Sequence, residues 1–186
     1  MFKSTWIALS LIFIFPGCSD TKKQSSVEEA NSMVASNVYE LRDTQNKLYK
    51  VTKSGSDFIV EGYENKLVIF DIFATWCPPC RAVASHLAKL QKEFKDDLLV
   101  LGVTIEEDKT NADLIEYAKT YEANYTLINS KANRSFSNTL ASSINVGSGF
   151  PIPLMVLYKN GKYITHYAGA VPPEMIRADI RRALGK

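Results

Sequence analysis

The stretch Phe70-Asp71-Ile72-Phe73-Ala74-Thr75-Trp76-Cys77-Pro78-Pro79-Cys80-Arg81 decides how this chain is read. Its first four residues end a nearly continuous apolar run, Leu67–Phe73, the pattern of a strand buried on both faces of a sheet. Two prolines follow, and proline suits the first turn of a helix, where the N–H it lacks has no intrahelical partner. Beyond them Val83, Leu87, Leu90 and Phe94 recur at helical spacing. The two cysteines therefore stand where a strand passes into a helix. A helix N-terminus offers unpaired N–H groups and the positive end of a dipole, so a sulfur held there ionises more easily than a free thiol. Such a pair is suited to thiol–disulfide exchange.

Cys77, nearest the helix start, is the expected attacking thiolate, partly accessible between Trp76 and Pro78. Cys80, one turn later, is the expected buried resolving thiol. Two other readings stand beside this one. A structural bridge closing so short a loop contributes only about 2 kcal/mol on the chain-entropy model. Half of a zinc site needs four ligands in all; there is no second cysteine pair, and His86, six residues past Cys80, falls on another helix face. No cationic side chain separates the sulfurs, so a redox pair here is expected to be moderately reducing rather than strongly oxidising. Asp71 lies within the apolar run, where an unpartnered carboxylate is costly and its pKa rises. A carboxylate of that kind can take the proton of Cys80. The alternative is a strand-edge aspartate facing solvent. Trp76 is read as a rim residue, with a core role as the alternative, and the aromatic residues of 121–125 are read as packing.

Outward from the motif, residues 39–42, 48–51 and 58–60 read as short strands separated by turn formers. Residues 98–105 form a second buried strand. Helical spacing returns around Leu114, Ala118 and Tyr121, a short strand fits 125–128, and a helix fits 134–142. A hairpin across Lys159-Asn160-Gly161-Lys162 and a last helix bearing Ile176, Ile180, Ala183 and Leu184 close the chain. Alternating strands and helices predict an α/β fold: a central mixed β-sheet with helices on both faces, an N-terminal β-hairpin, and a further helix and strand before the final hairpin.

The 186 residues, 46% hydrophobic, suffice for one domain with a core. Twenty-two Lys+Arg against 20 Asp+Glu leaves a formal charge of +2 with no dense basic cluster, which excludes a phosphate-backbone reader, so no nucleic-acid partner is expected. Lys3, the apolar residues 6–15 and Phe15-Pro16-Gly17-Cys18 make a signal sequence too short to span a bilayer. It resembles a bacterial lipoprotein signal, which implies cleavage before Cys18 and lipid attachment there; ordinary secretion and an uncleaved signal are the alternatives. The expected organisation is a signal over 1–17, a lipid-anchored polar tether over 18–37 and a folded domain over 38–186. A helix over 27–38 is the alternative to the tether. Export places the remaining cysteine pair among disulfides.

The motif from Phe73 to Arg81, with Pro153, Gly161 and Gly169 downstream, resembles the thioredoxin superfamily, and within it the exported, membrane-tethered TlpA/ResA type. The resemblance covers residues 38–184. It implies a thioredoxin-like fold, a Cys77–Cys80 redox disulfide, and a cis proline at Pro153 beside the pair, with Ile152 offering backbone groups to a client strand. Pro151 is the competitor for that place. Trp76, Pro78 and Pro79 complete the implied substrate surface. The chain differs from that type in having Val83 where a glutamate is common, Asp71 where an asparagine is common, and Ser85 where a proline often kinks the helix. Its acid–base partner is thus expected on the strand.

The implied activity is reduction of disulfides in exported proteins on the periplasmic side, by a monomer that needs no bound organic cofactor and no metal. The implied electron donor is a membrane protein of the DsbD/CcdA kind. Cytochrome c maturation and respiratory copper-site assembly are roles of such relatives. A disulfide-introducing oxidant, and a tethered Cu(I)-binding or chaperone-like module using the two sulfurs, are the competing functions.

Overall fold

The computed structural model describes residues 37–147 and 149–186. The signal, nearly all of the tether and Cys18 lie outside the described residues. Three antiparallel strands come first: β1 (Val38–Arg42), β2 (Leu48–Ser54) and β3 (Asp57–Val60). The chain continues through β4 (Leu67–Phe73), α1 (Pro78–Glu93), β5 (Leu98–Thr104), α2 (Asn111–Tyr121), β6 (Thr126–Ile128) and α3 (Asn133–Ser143). It ends with β7 (Leu154–Lys159), β8 (Lys162–Ala168) and α4 (Pro173–Leu184). The main sheet runs in the order β6-β5-β4-β7-β8, with β4, β5 and β6 parallel and β7 antiparallel to both of its neighbours.

β4 is the middle strand, and all seven of its residues are buried. Side chains alternate across a strand. Val68, Phe70 and Ile72 face the small sheet and Phe136, Leu140 and Ala141 of α3. Leu67 and Ile69 face Val83, Leu87 and Leu90 of α1 and Ile176 and Ile180 of α4, while Phe73 packs with the cysteines and with Leu114 and Tyr117 of α2. Asp71, of the same parity as Ile69 and Phe73, is thereby turned toward the α1 side. On the other face Phe70 meets Phe136 edge-on at 5.0 Å and Tyr158 at 5.7 Å, a geometry aromatic quadrupoles favour.

The N-terminal unit is a meander of two successive hairpins, its strands lying where three short strands were expected. Gly55, at φ +62°, lets the chain reverse within the β2–β3 turn, so β3 joins β2 with Ser54 opposite Asp57. Among the described residues, no helix is long and apolar enough to cross a membrane.

Candidate functional site

α1 begins at Pro78, with Cys77 as its N-cap in extended conformation. Prolines at the first two helical positions remove two of the usual free amide donors. The next amide, that of Cys80, donates to Cys77 Sγ at 3.2 Å. The N–H of Cys77 itself is taken by Ala74 O at 3.1 Å. One amide and the helix dipole therefore act on the sulfur. Cys77 and Cys80 are joined by a disulfide, with Cα atoms 5.3 Å apart.

Both cysteines expose only 2% of their surface. For Cys80 this is the burial expected of it. For Cys77 it is less than expected, because Sγ lies 3.7 Å from the carbonyl oxygen of Ile152 and packs among Phe73, Ala74 and Ala84. Trp76 exposes 60% and walls a groove shared with Ile105, Glu106, Glu107 and Lys109. Pro78 and Pro79 are exposed beside it.

The Ile152–Pro153 peptide is cis. Pro151 is exposed and Pro153 buried, with its carbonyl accepting Gly169 N–H at 2.8 Å. The Ile152 carbonyl points at the disulfide from a loop 75 residues away in sequence.

Asp71 is buried, and desolvation pushes its carboxyl up to about 7, against a smaller opposing effect from a hydrogen bond donated by Tyr125. That bond, from the Tyr125 hydroxyl to Oδ2, is 3.0 Å long. Oδ1 has no hydrogen-bond partner among the described residues, nor has the hydroxyl of Tyr117, whose own titration is raised first by burial and then by the charge of Asp71.

A family model described as the AhpC/TSA family matches residues 40–157, which include Asp71, both cysteines, Tyr125 and the Ile152–Pro153 peptide. The chain belongs to the AhpC/TSA family. It is similar to the thioredoxin-like protein YneN of Bacillus subtilis, 32% identical over 78 residues, 41% of this chain and 46% of that relative. The chain thus spans less than half the length of that relative. Among solved structures it resembles a thiol:disulfide interchange protein DsbE of Chlorobium tepidum, described there as putative, with 19% identity, TM-score 0.58 and 81% and 95% of the two chains covered. It also resembles the exposed lipoprotein thioredoxin Etrx1 of Streptococcus pneumoniae, with 22% identity, TM-score 0.57 and 78% and 98% covered. These likenesses establish the thioredoxin-like fold of this AhpC/TSA protein.

Two site residues of this AhpC/TSA protein escaped the sequence. Tyr125, read as packing, holds the buried carboxyl. Glu106, in the acidic run Glu106-Glu107-Asp108, turns inward: Oε2 accepts Thr75 N–H at 2.5 Å and Oε1 accepts the Thr75 hydroxyl at 3.0 Å. Arg81 Nε donates to Thr75 O at 2.7 Å, and its guanidinium sits 5.1 Å from the centre of the Tyr121 ring. The run of like charge offered no sign that one member was half-buried. A lone aromatic likewise does not announce where its hydroxyl points.

Proposed function

We propose that the protein is an extracytoplasmic thiol:disulfide oxidoreductase that reduces disulfides in exported proteins. The observation that carries this reading is the Cys77–Cys80 disulfide lying across the first turn of α1, with Cys80 N–H directed at Cys77 Sγ. In the reduced protein the Cys77 thiolate attacks a client disulfide, forming a mixed disulfide and releasing one client sulfur as a thiolate. Asp71, on the sheet face beneath α1, accepts the Cys80 proton. The Cys80 thiolate then attacks Cys77 Sγ, the Cys77–client bond breaks, and the second client thiolate leaves and is protonated. Two electrons pass to the client, and the pair is left oxidised. A membrane dithiol donor of the DsbD/CcdA kind returns it to the reduced state.

Client binding is assigned to Trp76, Pro78, Pro79, Ile152 and Pro153. Because Cys77 is nearly covered by Ile152, an extended client strand must enter along the Ile152 backbone, where the sulfur lies 3.7 Å from the carbonyl. Residues 1–17 serve as a lipoprotein signal, Cys18 as the lipidated residue and 18–37 as the tether of a monomeric TlpA/ResA-type domain. The similarity to a protein described as an exposed lipoprotein thioredoxin supports that placement. Clients in cytochrome c maturation or respiratory copper-site assembly fit this reading.

The test is trapping. Cys80→Ser should accumulate mixed disulfides through Cys77, whereas trapping by Cys77→Ser would reverse the roles. A reduction potential near or below about −220 mV supports a reductant; one near −120 mV would make the protein an oxidant. Labelled fatty acid should enter the full-length protein and not Cys18→Ala.

A further inference from the structure

Asp71 of β4 is paired in register with Gly102 of β5. Neighbours in a parallel pair point to the same side of the sheet, so Gly102 leaves bare backbone beside the carboxyl. That space is filled. A Cβ on Gly102 would lie 2.8 Å from Cε2 of Tyr125 and 2.8 Å from Cδ2 of Leu127. The Tyr125 ring therefore rests against the glycine, and its hydroxyl reaches the next strand to donate to Asp71 Oδ2 at 3.0 Å. The ring is delivered by a tight turn after α2, in which Glu122 adopts φ 55° and Tyr125 N–H bonds Ala123 O at 2.8 Å.

We infer that Tyr125 is a positioning residue for the proton-transfer carboxyl, and that Gly102 is present to admit its ring. This rests on the reading that Asp71 accepts the proton of Cys80. The hydrogen bond engages Oδ2 and leaves Oδ1, which has no partner among the described residues, as the oxygen free to take that proton. Tyr125 stays a donor throughout, since burial, then the charge of Asp71, raise its own titration well above 10. The other ionisable group coupled to Asp71 is Tyr117 from α2, which shares a cluster with Cys77 and Cys80 at the start of α1. The flanking register partners Gly102 and Met155 bring none. The charges of Arg81 and Glu106 bear on Tyr117, in opposite directions.

The experiment compares wild type, Tyr125→Phe, Asp71→Asn and the double variant, using the carboxyl carbon-13 titration of reduced protein and the pH profile of the resolving step. Phenylalanine keeps the ring and removes the donor, so the Asp71 titration should move up by about one to two pH units, as expected for losing a hydrogen bond to a charged group. Resolution should slow about tenfold at pH 7, recover at higher pH, and be unaffected by Tyr125→Phe once residue 71 is asparagine. Gly102→Ala should give the same upward movement with Tyr125 intact. An unmoved titration in Tyr125→Phe, while Asp71→Asn still slows resolution, overturns the positioning role alone. Unchanged resolution in Asp71→Asn overturns the underlying assignment of the base.

Discussion

Glu106 clasps one peptide unit from across the site: it accepts both the N–H and the hydroxyl of Thr75, two residues before Cys77, at 2.5 and 3.0 Å. The carbonyl of the same residue receives Arg81. The link from β4 to α1 is thus held from two sides, which fixes the approach of Cys77 to the helix end. Glu106→Ala leaves a part-buried amide unsatisfied and should cost about 2–3 kcal/mol, with Glu106→Gln losing less. Urea unfolding midpoints of the oxidised proteins measure this; a change below about 0.5 kcal/mol would deny the clasp its role.

The prolines limit how strongly the helix end acts on sulfur 77. Pro79→Ala restores an amide at the second helical position, from which N-cap side chains commonly accept. The Cys77 thiol of the reduced variant should titrate lower than wild type, by up to about one pH unit. Thiolate absorbance against pH reads this directly, and an unchanged or higher titration would contradict the one-donor geometry.

Burial of Asp71 makes stability depend on pH in the direction opposite to a salt-bridged carboxylate. The folded carboxyl holds its proton to about 7, whereas 3.8 is its ordinary value. Between these limits the unfolded chain binds fewer protons, so stability falls as pH rises from about 4 to about 7 and is level above. The loss is of the order of 4 kcal/mol at most, the equivalent of about three decades. Asp71→Asn should therefore stabilise the protein at pH 8 and leave it nearly unchanged at pH 4. Equal effects at the two pH values would show a carboxyl that titrates normally.

At the other end of the sheet, Gly161 adopts φ +77°, and a Cβ there would run into Ile59 Cγ1. Phe58 N–H bonds its carbonyl at 2.8 Å, so this turn fastens the small sheet to the β7–β8 hairpin. Gly161→Ala should cost about 1–3 kcal/mol through strain and overpacking. The reduction potential should be unchanged, because Lys159 pairs with Leu67 at the end of β4 away from the cysteines.

Much of this fold was legible because its signals are local. The apolar run Leu67–Phe73 gave the strand with its bounds, the spacing of Val83, Leu87 and Leu90 gave the helix, and the prolines marked where it starts. Where the reading fell short, the missing information was not local. A partly accessible Cys77 was expected from its chain neighbours, yet its cover comes from Ile152, and Tyr125 looked like packing because its ring does pack.

Consecutive residues determined that a cysteine would cap a helix leaving a buried strand, since an unbroken apolar run and the loss of proline amides act within a few residues. Only the folded chain decided what surrounds that cysteine. Thr75 meets Glu106 across 31 residues, Asp71 meets Tyr125 across 54 and Cys77 meets Ile152 across 75. Those meetings depend on which strands are neighbours and in what register, and strand neighbours are selected by burial of the whole sheet rather than by the residues that meet.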